Sequence, residues 1–278
     1  MKKLSKNGAD IFVSDGLSLD KALRRTTHLG IGAHSDDLEI MAYSAIDECF
    51  DSEVLHFSGI TVTDGCGSFR TGAYSDLSDD EFVDIRCNEQ RVAAETGNYS
   101  SMIQFNYASS ELKNRIDEQL IDDLCNIMLS SRPDIVFTHN PFDAHVTHIA
   151  VLIHTIEALR RISCEFMPRR LLGGEVWGSL DWIPEKNKIA LKADRHPDLA
   201  KELLSIFKSQ IDCGKHYDRA VIARREANAT FFNPRKPDEC SALIYAVELT
   251  SLITDSNMIL KQYVNNIITD FQNSLHLF

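Results

Sequence analysis

Apolar and polar positions along the chain fall into two rhythms that alternate. Thr26 to Ala33, TTHLGIGA, is a short apolar run ending in small residues, the pattern of a buried strand giving way to a turn. Leu38 to Ile46 has helical character, and Asp36 and Asp37 stand near its positive N-terminal end. Val54 to Thr63 predicts a second strand closed by Asp64-Gly65, after which a Gly- and Ser-containing loop leads to a helix from about Asp80 to Thr96. Leu112 to Leu129 carries Ile116, Leu120, Leu124 and Ile127 at helical spacing. Pro133 interrupts that rhythm, Ile135-Val136-Phe137 predicts a short strand ending at Thr138-His139, and a helix from about His145 to Ile162 follows. Leu171 to Ala193 reads as a strand-and-loop wall. Leu199, Leu203, Phe207 and Ile211 mark another helix, and Ala242 to Phe271 reads as helical with a break.

Strand–helix alternation of this kind implies an α/β fold with a mainly parallel sheet covered on both faces. In such sheets a ligand sits beyond the carboxyl ends of the strands.

The 278 residues are 44% hydrophobic and 25% charged, enough for a substantial core. No linker, repeat or low-complexity tract divides them, so residues 1–278 read as a single domain, with an N-terminal extension over about 1–25 and a C-terminal helical extension over about 235–278. A formal net charge of −12 argues against a nucleic-acid binder or a basic membrane-surface protein. It does not restrict small substrates, because a local Arg or Lys can bind an anion inside an acidic protein. The odd number of cysteines, without a CxxC pair, suits reduced thiols rather than a disulfide framework or a zinc knuckle. Met1 to Lys6 starts basic but lacks the apolar run of a signal peptide, no window reaches membrane-spanning length, and the expected location is cytoplasmic. An apolar face on the C-terminal helix leaves open both a homo-oligomeric contact and folding back on the sheet.

Two clusters carry chemistry. Ala33-His34-Ser35-Asp36-Asp37-Leu38-Glu39 sets one imidazole and two adjacent carboxylates at a strand-to-helix turn. Neighbouring residues in a turn face different ways, so His34 and Asp37 can bind a metal while Asp36 points toward a water. Glu39 reads as either a supporting group or a first-turn helix acid. In the second cluster, His139 to His148, His145 and His148 lie three apart on one helix face. A third ligand from here completes a site of two nitrogens and one carboxylate, which suits catalytic zinc, although ligand type alone also admits iron or manganese. Such residues suffice for amide hydrolysis without a covalent intermediate. Gly30-Ile31-Gly32 also resembles a truncated dinucleotide fingerprint, but two carboxylates where pyrophosphate would sit disfavour it.

The pattern resembles the PIG-L/LmbE-like deacetylases. Their first motif, A-H-P-D-D followed shortly by Glu, matches Ala33-His34-Ser35-Asp36-Asp37-x-Glu39. Their second, H-x-x-D-x-H-x-D-H, is similar to His139-x-x-x-Asp143-x-His145-x-Thr147-His148, which has one more residue between the first His and the Asp. Thr63-Asp64-Gly65, Arg86-x-x-Glu89, and Phe207-Lys208-Ser209-Gln210 with Tyr217 are similar to further family segments, so the resemblance spans about 26–232. It implies a Rossmann-like fold holding one zinc ion, with His34, Asp37 and His148 as ligands and Asp36 as general base. His145 would be the oxyanion-stabilising acid and Arg86 a contact to the sugar or its phosphate-like substituent. Asp64 reads as a turn former.

Ser35 replaces the motif's Pro, and Thr147 replaces the Asp that would pair with His145. That loss should lower the pKa of His145 unless Asp143, expected behind the ligands, supplies the charge. Gly174 to Trp182 and Asn228 to Phe232 resemble a branch whose members can be joined to glucosamine-6-phosphate-deaminase-like domains. This implies an N-acetylglucosamine-type small-molecule substrate, phosphorylated or conjugated. Trp177 and Trp182 suit either a sugar face or the core. The competing functions are a non-catalytic sugar- or nucleotide-binding protein on the same fold, and hydrolysis of another amide such as a thiol-sugar conjugate or antibiotic intermediate.

Overall fold

The computed structural model describes residues 3–113 and 115–275. Its strands are β1 (Asp10–Phe12), β2 (His28–Gly32), β3 (Phe57–Thr63), β4 (Ser101–Tyr107), β5 (Ile135–His139), β6 (Arg170–Gly174), β7 (Ile189–Lys192) and β8 (Leu243–Glu248). They form one eight-stranded sheet in the order β1-β4-β3-β2-β5-β6-β8-β7. The five strands from β4 to β6 pair in parallel. β1 adds antiparallel at one edge, and β8 and β7 extend the other antiparallel.

Every residue of β2 and β3 is buried, as expected of parallel strands covered on both faces. Successive strand residues feed two different cores. Leu29, Ile103, Val136 and Leu171 join Leu120, Leu124, Val151 and Leu159 on one side. Met102, Phe137 and Leu172 join Leu38, Tyr43, Leu203 and Phe207 on the other. Helices Glu118–Ser131 and Val146–Arg161 cover the first face; Asp37–Met41, Tyr43–Cys49 and Pro197–Ile206 cover the second.

From β2 the chain moves outward to β3 and β4, then returns to place β5 on the other side of β2. The winding direction thus reverses between β2 and β5, which opens a crevice at their carboxyl ends. Both acid-and-histidine clusters leave the sheet there. Gly32 lets the following helix lie close, since a Cβ on it would come 3.0 Å from Cβ of Asp37. Packing, rather than a dinucleotide, accounts for this glycine.

The α/β fold and mainly parallel sheet agree with the sequence reading, and four elements differ. The helix marked by Leu199, Leu203, Phe207 and Ile211 is broken at Phe207 into Pro197–Ile206 and Lys208–Ile211. The helix expected over Leu38 to Ile46 is two short ones that meet at Ala42. The helix expected from Leu112 begins at Glu118, where the Asp117 side chain accepts from the Leu120 N–H at 3.1 Å. Ala242 to Phe271 is not helical throughout: Leu243–Glu248 is β8, and helices Ser251–Thr254 and Leu260–Ser274 follow. A fully apolar run suits a strand covered on both faces as well as a buried helix, and Ile244, Tyr245 and Val247 tip the balance toward the strand. Phe271 of the last helix meets the edge of Trp182 at 5.4 Å between ring centroids, so this helix folds back on the body of the protein. Among the described residues no helix is long and apolar enough to cross a membrane.

Candidate active site

At the end of β2 the chain turns sharply through Asp36, whose φ of +84° lies in the left-handed region that Asp tolerates better than most residues. The turn sends adjacent carboxylates in different directions. Asp37 Oδ2 accepts the N–H groups of Ala33 at 3.0 Å and His34 at 2.7 Å. Asp36 faces the cleft, and its Oδ2 is buried with no hydrogen-bond partner among the described residues.

At the end of β5, His139 is fully buried. Its Nε2 accepts the Ala33 N–H at 2.9 Å, and its ring stacks on that of His148, with centroids 3.9 Å apart. His145 precedes helix Val146–Arg161, and His148 lies in its first turn. His34 Nδ1 and His148 Nε2 are 3.1 Å apart, and each is 3.5 Å from an oxygen of Asp37. Ligands bound to one tetrahedral zinc ion are separated by roughly 3.4 Å, given bonds of about 2.1 Å, so this donor set fits such an ion. His139, His148 and Asp37 also cluster, as do His34, His145 and His148. The lone pair of His139 is already engaged by Ala33, which suits it to support rather than ligation.

Asp143 stands behind this group. Its Oδ1 is 3.2 Å from His148 Nδ1 and accepts the His145 N–H at 2.8 Å, while Oδ2 accepts the Trp177 N–H at 3.2 Å. A proton on Nδ1 of His148 directs the Nε2 lone pair toward His34 and Asp37. The carboxylate is therefore turned to the His148 ring and not to the imidazole of His145. Among the described residues, Nδ1 of His145 and Oγ1 of Thr147 are buried without a partner, and Nδ1 of His148 has the Asp143 carboxylate at 3.2 Å without a well-aligned hydrogen bond.

Charge separates the two aspartates. Burial raises both, but the His148 and His139 rings beside Asp37, together with His34, hold it well below the usual carboxylate range. Burial and the neighbouring Asp37 push Asp36 well above it, against the pull of Arg86. Burial, reinforced by His148 and His34, pushes His145 down to about 4. Glu39, fully buried, is pushed up to about 7 by burial although Tyr99 and Gln90 donate to it at 2.8 Å.

The remaining motifs meet beneath the cleft. Arg86 is buried. With the Gln210 amide turned so that its oxygen faces Arg86, the guanidinium donates to that oxygen from Nη1 at 2.9 Å and Nη2 at 3.1 Å. Glu89 accepts from the N–H of Ser209 at 2.7 Å and its hydroxyl at 2.5 Å. A Cβ on Gly65, whose φ is +67°, would fall 2.4 Å from Arg86 Nε, so the turn can cover the guanidinium only with glycine there. Asp64 accepts the Cys66 N–H at 3.0 Å, as a turn former does. Trp177 lines the cleft and is half-exposed, whereas Trp182 packs between Phe142 and Phe271. The cleft, of about 410 Å³, is lined by His34, Asp36, Asp37, His145, Trp177 and Tyr217 among others.

The structure thus gathers His34, Asp36, Asp37, Asp143, His145 and His148 at one crevice and sets Arg86 below it. Sequence reasoning gave no role to His139. Its signals were its place at the end of a predicted strand and at the head of the second motif. Nor did it foresee that Arg86-x-x-Glu89 grips Ser209-Gln210.

A doubly covered parallel sheet with acids and imidazoles at its switch point defines a class of Rossmann-like proteins with a hydrolase-type site. Residues 29–159 match the family model of PIG-L, GlcNAc-PI de-N-acetylase, and form a PIG-L family domain that carries both clusters. No curated protein matches the chain in sequence. Among solved structures, the chain is similar to GalB, the 4-carboxy-2-hydroxymuconate hydratase of Pseudomonas putida, with 15% identity, 81% of this chain and 95% of that one covered, and a TM-score of 0.62. N,N'-diacetylchitobiose deacetylase from Pyrococcus horikoshii follows, with 16% identity, 84% and 89% covered, and a TM-score of 0.63. A teicoplanin deacetylase solved in a zinc-inhibited form has 12% identity, 80% and 97% covered, and a TM-score of 0.57. At these identities the likeness is one of fold.

Proposed function

We propose that the protein is a metal-dependent N-deacetylase that hydrolyses the acetyl amide of an N-acetylglucosamine-type sugar. The observation that carries this reading is the triangle of His34 Nδ1, Asp37 and His148 Nε2, with contacts of 3.1 to 3.5 Å, beside a differently charged second carboxylate, Asp36. His34, Asp37 and His148 would hold the ion, zinc by the two-nitrogen, one-oxygen donor set. The bound ion supplies Lewis acidity toward a carbonyl and acidifies water.

The protein's own groups do the rest. Asp36 accepts a proton from a water in the cleft and returns it to the departing sugar nitrogen. His145, with its pKa near 4, is neutral at pH 7 and donates an N–H to the developing oxyanion. Asp143 holds His148 in the ligating tautomer. Trp177 offers an exposed ring to a sugar face, and Arg86 acts through Gln210 and the field on Asp36 rather than by touching the sugar.

Acetate release from N-acetylglucosamine, its phosphates and its glycosides tests the reading, with added zinc held near one equivalent. Release from at least one of them is expected. Release from none, with intact binding of the sugars, supports the non-catalytic rival instead. The likeness to a hydratase favours including an unsaturated carboxylic acid, whose hydration would yield no acetate.

A further inference from the structure

The helix that opens the site, Asp37–Met41, has five residues, too few to hold itself, and Asp36 before it sits in the left-handed region. The direction of the Asp36 side chain must therefore be fixed from elsewhere in the chain. Its N–H and its carbonyl are both anchored. The N–H donates to Gln90 Oε1 at 3.4 Å, and the carbonyl accepts the Ile40 N–H at 3.0 Å. Gln90, on helix Asp79–Thr96, is fully buried, and its Nε2 donates to Glu39 Oε1 at 2.8 Å, where the Tyr99 hydroxyl donates as well. An acceptor at Glu39 turns the amide nitrogen of Gln90 toward itself and leaves the amide oxygen for Asp36.

The peptide group that serves the Asp36 carbonyl is gripped at its other end. Its oxygen, that of Glu39, accepts from Arg225 Nη2 at 2.6 Å, and the Ile40 carbonyl lies 3.3 Å from the same nitrogen. Arg225, on helix Tyr217–Phe231, is 2% exposed, and its Nε and Nη1 have no partner among the described residues. The two carbonyls in the last turn of the short helix receive this buried charge, with the Tyr43 ring centre 4.5 Å from the guanidinium carbon. Hydrogen bonds chained through one peptide group strengthen each other in a buried setting.

We propose that Gln90 and Arg225 are positioning residues that act through Glu39: they hold the two backbone groups of Asp36 and with them the direction of its carboxylate. Their part in turnover rests on the reading of Asp36 as the proton carrier; the hydrogen-bonded frame does not. Glu39, fully buried, thereby serves the site without touching a substrate.

Two readouts on the full chain test this, one of them independent of turnover. In Gln90→Met the Asp36 amide should exchange its hydrogen about tenfold faster than in wild type or more, and in Arg225→Met the Ile40 amide should do so, with β2 and β5 unchanged. Per metal-loaded chain, kcat for acetate release should fall about 10–100-fold in each while KM stays within about twofold, the pattern of a misplaced catalytic group. Glu39→Met frees the Gln90 amide and removes a buried acid, so it replaces Gln90→Met if that variant does not fold. Arg225→Lys replaces Arg225→Met in the same way. Glu39→Gln keeps an oxygen for Gln90 and should retain most of the turnover that Glu39→Met loses. Unchanged exchange at Asp36 and Ile40, an unchanged kcat, or a fall in kcat matched by lost metal overturns the proposal. If the wild type releases no acetate, the deacetylase reading fails alone, and the exchange rates still decide whether Gln90 and Arg225 hold Asp36.

Discussion

Asp36 and Asp37 are chemically identical neighbours, and environment alone divides their work. Asp37 is held by two backbone N–H groups and flanked by imidazoles, so it is ionised and fixed. Asp36 has an unpartnered oxygen and the raised affinity for a proton that a proton carrier needs. Asp36→Asn should lower acetate release by about 10²–10⁴-fold while the metal content stays at the wild-type level. Asn also accepts the left-handed backbone at this position, so the turn is preserved. Unchanged turnover in that variant would remove Asp36 from the mechanism. Asp143→Asn weakens the group behind His148, and metal affinity measured by competition with a chelator should fall about 10–100-fold. At this scale the sequence was most legible, because motif residues are named by their chemistry. The direction of a side chain was not. Asp143 could serve either imidazole until the fold turned it to His148, and Arg86 could have faced solvent until Gly65 and Gln210 covered it.

Among elements, the run after β2 depends on how closely a helix can approach the sheet. Gly32 permits that approach, and the broken pair of helices after it carries Glu39 into the core, where Gln90 and Tyr99 meet it. The second of these helices is tied to Pro197–Ile206 through His196. Its Nδ1 lies 2.8 Å from Asp47 and its Nε2 2.9 Å from Asp51. Despite the opposing effect of burial, these two carboxylates raise the pKa of His196 above its ordinary value. A raised folded-state pKa contributes stability that is complete below about pH 6.5 and is lost as pH climbs through the folded value. His196→Gln should therefore lower the urea midpoint more at pH 6 than at pH 9. An equal loss at both values would mean that the ion pairs contribute nothing. Strands with a clear break on each side, such as β2 and β5, were legible. β8 was misread and β4 gave no clear signal, because burial on both faces erases the alternation that marks a strand.

For the whole molecule, topology does what local sequence cannot. Residues more than a hundred positions apart meet because β2 and β5 are neighbours across the switch point, and this pairing is set by the sheet and not by either motif. The sequence predicted the alternation that makes such a sheet, but the strand order appears only once all the elements pack together. The central claim is that His34, Asp37 and His148 share one ion. Metal analysis of the protein purified without chelator, beside His148→Ala, tests it most directly. About one divalent ion per chain in the wild type and almost none in the folded variant is the expected result. No metal in the wild type, or equal metal in both, would contradict it.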